Sequence, residues 1–193
     1  MPFNPESEGG KRLSIETEVK VKIDDAEDFC RSLEVLQPRF VSGRHFEDNH
    51  LLDFPDGRLR SQQCLVRVRF AAGRSYLTFK GPPSAKGIFK TREELETALE
   101  DGAVACRIFE QLGLSLWFRY QKYRREYQVD EVMVAVDETP AGNYVEFEGA
   151  EDRIHALARK MGINPSKFMK SSYYSLYLEH CRNLGVTPGH MVF

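Results

Sequence analysis

The sequence predicts an α+β protein built on a closed, eight-stranded antiparallel β-barrel, a tunnel with helices packed on its outside. Three observations lead to this fold class. Segments of alternating polarity, which are typical of β-strands, recur along the chain. Short turns join several of them, which favours antiparallel hairpins. Such a sheet must protect its edges from pairing with other chains, and closure into a barrel removes the edges altogether.

The first predicted strand, residues 15–23, has two faces of different character. Strand side chains alternate between the two sides of a sheet. One face therefore carries Glu16, Glu18, Lys20 and Lys22. The other face is mostly apolar and can pack under a helix. Lys22 is expected at the tunnel mouth or in solvent.

The later strands repeat this design. They are predicted at residues 39–53, 64–70, 75–80, 87–99, 114–129, 131–137 and 144–148. The turn signals between them include Pro55-Asp56-Gly57, Ala71-Ala72-Gly73 and Gly81-Pro82-Pro83.

Four helical segments are predicted between and after the strands. The first follows Asp24 and Asp25, either of which can cap it, and ends before Pro38. Its apolar stripe is Phe29, Leu33 and Leu36. The second, residues 101–112, has a stripe of Val104, Ile108 and Leu112 and stops at Gly113. The others cover residues 151–161 and 170–181.

Length and composition limit the classes of protein to consider. The 193 residues are predicted to form a single domain, 1–193, with a core at about 13–182, frayed ends and a loose tail after Gly185. Lys and Arg (27) nearly balance Asp and Glu (29), so the net charge of −2 disfavours nucleic acid as a partner. The four cysteines form no CxxC pair, which indicates reduced thiols and a cytoplasmic location. No apolar run could cross a membrane, and no signal peptide is recognisable.

Like-charged pairs at i and i+2 are the main functional signal. They are Glu16/Glu18, Arg67/Arg69, Lys122/Arg124 and Glu146/Glu148. Like charges on one strand face repel each other unless an opposite charge lies between them. Basic groups around a polyanion, with carboxylates holding a divalent cation, would satisfy all of these pairs. The charged faces would then point into a wide barrel. Basic side chains combined with a carboxylate-bound divalent cation are suited to phosphoryl or nucleotidyl transfer. The alternative is a barrel with an ordinary solvated, charged exterior.

An ordered set of motifs resembles the CYTH superfamily, also called triphosphate tunnel metalloenzymes. The ExExK signature matches Glu16 to Lys20. The later matches are Asp48 to Asp53, Leu65 to Arg69, Leu77 to Pro82, Thr91 to Glu96, Lys122 to Arg124, Val136 to Glu138, Gly142 to Glu148 and Lys170 to Tyr173. Leu51 and Leu52 stand where the family has an aromatic pair, so this segment lacks a surface for stacking.

The resemblance implies residue roles inside a tunnel. The substrate, a triphosphate-containing small molecule, would be bound by Lys20, Arg67, Arg69, Lys80, Arg92, Lys122, Arg124 and Lys170. Mg²⁺ or Mn²⁺ would be held by Glu16, Glu18, Glu94, Asp137, Glu146 and Glu148. The catalytic set would be Glu16, Glu18, Lys20, Glu146 and Glu148. Family members often form dimers, so a homodimer is also among the expectations.

The motifs leave the reaction open. Attack by water would make the protein a phosphohydrolase acting on inorganic triphosphate, a nucleoside triphosphate or thiamine triphosphate. Attack by a ribose hydroxyl on the α-phosphate would make it a class IV adenylate cyclase. A third reading is a module that binds nucleotide or polyphosphate without turnover. Trp117 is interpreted as a packing residue, and Tyr173 and Tyr174 as core or rim residues.

Overall fold

The computed structural model describes residues 14–84 and 87–193. In this part of the chain, eight antiparallel strands close into a barrel in the order β1-β5-β4-β3-β2-β6-β7-β8, and β8 pairs with β1. The strands are β1 (Ser14–Ile23), β2 (Arg39–Asp53), β3 (Leu65–Ala71), β4 (Arg74–Lys80), β5 (Lys90–Leu99), β6 (Ser115–Val129), β7 (Val132–Thr139) and β8 (Gly142–Glu148). The predicted fold class is confirmed. The lead-in predicted at residues 1–12 lies outside the described residues.

Five α-helices and one short 3₁₀ helix accompany the strands in the described ranges. They are α1 (Ala26–Glu34), α2 (Arg58–Ser61), α3 (Gly102–Gln111), α4 (Glu151–Lys160), the 3₁₀ helix Pro165–Lys167 and α5 (Tyr173–Leu184). Asp25 caps α1 by accepting a hydrogen bond from the backbone N–H of Asp28 at 2.8 Å. None of these helices is both long and apolar enough to cross a membrane.

The hydrophobic core lies outside the barrel, between its wall and the helices. Alternate residues of β1, β7 and β8 point outward and pack under α1 and α4; Val19, Val134, Val145 and Phe147 are fully buried there. A second cluster packs beneath α5 and a third beneath α3. Because the apolar faces point outward, the alternating charged faces point inward. Lys22 is exposed, as predicted.

Three details of the helices differ from the sequence-based prediction. Helix α2, a single turn, was not predicted, and α5 begins at Tyr173 rather than at residue 170. The predicted stripe of α3 is largely exposed: Val104, Ile108 and Leu112 are 50%, 55% and 64% accessible. That helix packs instead through Cys106 and Phe109.

The segment after Gly185 is not loose. Met191 is fully buried and pairs with Tyr120 of β6 in a parallel bridge. Its backbone N–H donates to the carbonyl of Arg119, and its carbonyl accepts from the N–H of Gln121. The tail is fixed because β6, with 15 residues, is much longer than β7, with 8, and its first half leaves backbone groups on that side that need partners.

Candidate functional site

The barrel encloses a cavity of about 810 Å³. Inward-facing side chains of β1, β3, β4, β5, β6 and β8 form most of its wall, and the segment that leads into α5 completes it. The predicted residues on this wall are Glu16, Glu18, Lys20, Arg67, Arg69, Lys80, Arg92, Glu94, Lys122, Arg124, Glu146, Glu148 and Lys170. The structure therefore brings together every predicted substrate-binding residue and every predicted carboxylate except Asp137.

The strand register explains how so many charges share one interior. Opposite charges face each other across neighbouring strands: Glu16 with Arg92, Lys20 with Glu146, Lys80 with Glu94, and Arg124 with Asp137. Such pairs stabilise a sheet, whereas like charges in the same position destabilise it. Glu18 and Glu148 break this rule, because they lie directly opposite each other on β1 and β8. Two facing carboxylates need a cation between or beside them.

Lys20 and Lys90 supply positive charge at this point. The Lys20 ammonium group lies 3.3 Å from a Glu18 oxygen and 3.2 Å from a Glu146 oxygen, and that of Lys90 lies 3.2 Å from Glu18. Burial opposes the charge of Lys20, but Glu146 and Glu18 outweigh it and raise the pKa of this lysine. Burial likewise disfavours ionised Glu18, but the neighbouring lysines hold its pKa below the usual range. Lys20 and Glu18 are therefore both charged at neutral pH.

A second cluster joins β1, β4 and β5. The Lys80 ammonium group donates to both oxygens of Glu16, at 2.7 and 2.6 Å, and lies 3.1 Å from Glu94. Arg92 lies 3.5 Å from Glu16. Burial acts against ionised Glu94, but Lys80 lowers the pKa of this carboxyl overall. Each carboxylate of the cluster thus has a cationic partner within hydrogen-bond distance.

Asp137 lies behind the cavity wall and is fully buried. Its carboxylate accepts hydrogen bonds from Arg124 at 2.7 and 2.6 Å, from Lys122 at 3.1 Å and from the Tyr173 hydroxyl. Burial and the Asp137 charge raise the pKa of Tyr173 well above its usual value, so the phenol stays protonated and donates. In this structure Asp137 orients two cations instead of facing the cavity.

The arginines of β3 are held in a similar way. Arg69 donates to a Glu96 oxygen at 3.0 Å, and Arg67 donates to the Thr78 hydroxyl at 3.1 Å. Thr78 in turn donates to Glu96 at 2.9 Å. These bonds fix both guanidinium groups along the cavity wall.

Several wall residues were not assigned to the site from the sequence. The alternation along β5 puts Lys90 and Glu96 on the same face as Arg92 and Glu94, although only the latter two were assigned to the site. Burial lowers the pKa of Lys90 to about 8, although Glu18 opposes the shift. Trp117 and Tyr174 also line the cavity, although Trp117 was expected only to pack. A bulge in β6 sets the direction of Trp117, and strict alternation does not predict bulges.

The wall can also be tested for its fit to a divalent cation. Carboxylate oxygens are the ligands that Mg²⁺ and Mn²⁺ prefer, and Glu18, Glu146 and Glu148 come together from two paired strands. In residues 14–84 and 87–193, no group of three acidic, histidine or cysteine side chains is already arranged around a metal position. Lysine ammonium groups lie beside Glu18 and Glu146 instead. The donor chemistry fits a hard cation, which would compete with these lysines for the same oxygens.

Comparisons with known proteins agree with this geometry. A protein of Methanocaldococcus jannaschii with the provisional name adenylate cyclase is 28% identical over 173 residues, which are 84% of this chain and 98% of that protein. Two solved structures share the fold. A provisionally named adenylate cyclase from Vibrio parahaemolyticus has a TM-score of 0.75 and 19% identity, with 84% of this chain and 97% of that chain covered. A provisionally named adenylyl cyclase from Hippeastrum, described as having a dominant triphosphatase activity, has a TM-score of 0.62 and 18% identity, covering 90% and 97%.

The model of one family matches most of the chain. The CYTH domain matches residues 14–171, which include every strand of the barrel and the lysine that precedes α5. The ordered motifs, the closed barrel and this match agree with one another, and the chain belongs to the CYTH domain family.

Proposed function

We propose that the protein is a metal-dependent phosphohydrolase that binds a triphosphate-containing substrate inside the barrel. One observation carries this proposal. Among the described residues, ten cationic and seven carboxylate side chains line the cavity, so its wall is net positive although the chain has a net charge of −2. Concentrating positive charge in an enclosed space favours a small polyanion.

The cations are already ordered before any substrate arrives. Arg69, Arg124 and Lys80 each contact a carboxylate at 3.1 Å or less. These carboxylates limit repulsion among the cations and fix their direction. A phosphate chain would exchange with them as the acceptor of charge-assisted hydrogen bonds, and arginine can donate two parallel bonds to one phosphate. These ordered cations therefore form a preorganised binding site for the phosphate chain, called the clamp below, which orients the phosphates at little entropic cost.

We propose that Glu16, Glu18, Glu94, Glu146 and Glu148 hold Mg²⁺ or Mn²⁺ when the metal is present. Such an ion would neutralise phosphate oxygens and lower the pKa of a bound water. Lys20 would lose one carboxylate partner when the metal binds and could turn to the substrate. We assign Asp137 a positioning role, since its oxygens are occupied by Lys122, Arg124 and Tyr173.

Adenylate cyclase activity is the second candidate. The provisional name of the Methanocaldococcus jannaschii relative favours it, whereas the activity described for the Hippeastrum protein favours hydrolysis. Both reactions would use the same phosphate-binding residues. A binding module without turnover is less well supported, because anion binding alone has no need for seven carboxylates beside the phosphates.

Product analysis separates these candidates. The purified protein is incubated with tripolyphosphate, ATP or thiamine triphosphate, each with Mg²⁺ or with Mn²⁺. We expect release of orthophosphate. Cyclic AMP and pyrophosphate from ATP would instead establish a cyclase, and binding without any product would contradict the enzyme proposal.

Two substitutions test the division of roles on the wall. We expect Glu148→Gln to lower kcat by about 100-fold, typical for the loss of one group that stabilises charge in the transition state, while the affinity for triphosphate is largely retained. Arg69→Ala should mainly weaken binding, by about tenfold or more, because charge-assisted hydrogen bonds are lost.

Glu131→Gln provides the matched control, since this glutamate is largely exposed and pairs only with Arg153 among the ion pairs found in the described chain. It should leave both kcat and affinity unchanged. Full activity of Glu148→Gln with Mg²⁺ would show that the proposed metal set is wrong.

A further inference from the structure

One rim of the cavity is apolar and aromatic, unlike the charged interior. It is formed by Trp117 and Tyr174 together with Leu51 and Leu65. The Trp117 and Tyr174 rings meet edge to face with their centroids 4.9 Å apart. A triphosphate chain is polar throughout and has no surface that would bury these groups. The rim therefore requires a different explanation from the clamp.

A local irregularity turns Trp117 toward the cavity. Along the pairing of β2 with β6, Leu51 lies opposite Phe118 but Leu52 lies opposite Leu116. Trp117 is thus an extra residue in β6, a β-bulge. Bulges occur next to functional sites, where they redirect a side chain.

A cation of the cavity wall, Arg60, also holds the indole ring in place. The Arg60 guanidinium lies over it, 4.5 Å from the ring centre. Arg60 is anchored by Asp53, whose fully buried carboxylate lies 2.9 Å from the Arg60 side chain and accepts the backbone N–H groups of Leu59 and Arg60. An ordered aromatic surface binds a ligand more tightly than a mobile one, because less conformational entropy is lost on binding.

We propose that this rim binds a planar aromatic group attached to the triphosphate, so that the protein prefers an organic triphosphate to inorganic triphosphate. The inference rests on the proposed function, since the clamp must hold the phosphates. A cavity of about 810 Å³ is large enough for a ligand with an organic part as well as a phosphate chain. Leu51 and Leu65 contribute apolar contacts, and Trp117 is the specificity-determining residue. The surface that Leu51 and Leu52 cannot supply for stacking comes from β6 and α5 instead.

The test compares Trp117→Ala and Trp117→Phe with the wild type. Equilibrium dissociation constants for ATP, thiamine triphosphate and tripolyphosphate are measured calorimetrically in EDTA, where metal-dependent turnover is absent. Steady-state KM values with Mg²⁺ are then measured separately. ATP and thiamine triphosphate distinguish a purine from another aromatic group.

We expect Trp117→Ala to weaken binding of at least one organic triphosphate by about 5- to 150-fold, the range that corresponds to the loss of one stacking contact. Tripolyphosphate binding should change by less than about twofold, since it does not reach the ring, and Trp117→Phe should restore most of the affinity. Thermal unfolding of each variant shows whether the barrel is intact.

An equal loss for all three ligands, or no loss for any, would overturn the inference. The proposed function fails in a different way, by the absence of product from every substrate with either metal. The affinity for ATP or thiamine triphosphate relative to that for tripolyphosphate, measured in EDTA, tests the aromatic rim whether or not the protein turns over any substrate.

Discussion

Replacing Asp137 by Asn should destabilise the protein in the absence of any metal or substrate. Asn has nearly the same shape as Asp but carries no charge, and its amide group would face the donors Lys122, Arg124 and Tyr173. Removing one partner of a buried ion pair costs about 3–5 kcal/mol. Lys122 and Arg124 each keep a second carboxylate, at 3.5 Å and 2.9 Å, so the lower value of about 3 kcal/mol applies.

Thermal unfolding followed by circular dichroism in EDTA measures this cost. For a domain of this length, about 1 kcal/mol shifts the Tm by about 2–4 °C, so we expect a decrease of about 6–12 °C. Glu131→Gln again serves as the control, because it removes an exposed carboxylate and should change the Tm very little. A normal Tm combined with a greater Mg²⁺ requirement for turnover would refute the reasoning and identify Asp137 as a metal ligand.

Two further predictions concern residues outside the cavity. Asp48 accepts hydrogen bonds from Arg119, and although burial opposes the shift, Arg119 lowers the pKa of Asp48 below its unfolded value of about 4. Its stabilising effect is therefore present above that pH and is lost as the pH falls through the folded pKa. Asp48→Asn should cost about 0.5–1 kcal/mol in urea unfolding at pH 7, and the difference from wild type should shrink below pH 4. Gly102→Ala should cost about 1–3 kcal/mol in the same assay, because a Cβ atom would lie 2.7 Å from Phe70 and Ser75 atoms.

Each of these has a result that would contradict it. A difference between Asp48→Asn and wild type that stayed constant from pH 7 to pH 3 would mean that the charge of Asp48 is not responsible. For Gly102, the comparison is Ala103→Gly in the same helix, where the ordinary preference of helices for alanine predicts a loss of about 1 kcal/mol. If Gly102→Ala stabilised the protein, the added methyl group would not clash with Phe70 on β3 and Ser75 on β4, and the reasoning would be wrong.

The alternation along each strand made most of the fold and the cavity wall predictable. Glu16 and Glu18 on β1, and Arg67 and Arg69 on β3, share a face simply because side chains two residues apart point the same way. The direction of that face followed from electrostatics, since like charges need opposite charges from other strands. These inferences depend only on local geometry and on Coulomb interactions.

The features that were missed depend on contacts distant in sequence. The bulge at Trp117 exists only in the pairing of β6 with β2, so the alternation within β6 alone does not reveal it. Helical spacing gave α3 a stripe, but the position of the helix over β3 and β4 partly buries Phe109 and leaves Ile108 exposed. The burial of Met191 depends on unpaired backbone groups of β6.

Closure of the barrel determines when its strand pairings can form during synthesis of the chain. Strand β1 is synthesised first among the strands, yet its partners are β5 and β8. Glu16 and Glu18 have partners on β5, but Lys20 and the second edge of β1 remain unpaired until β8, which ends at Glu148, has left the ribosome. Contacts so distant in sequence form slowly, because a long loop must be closed before they contribute. A chain that stops before β8 would expose both edges of an incomplete sheet, so the site and protection from aggregation are acquired in the same late step.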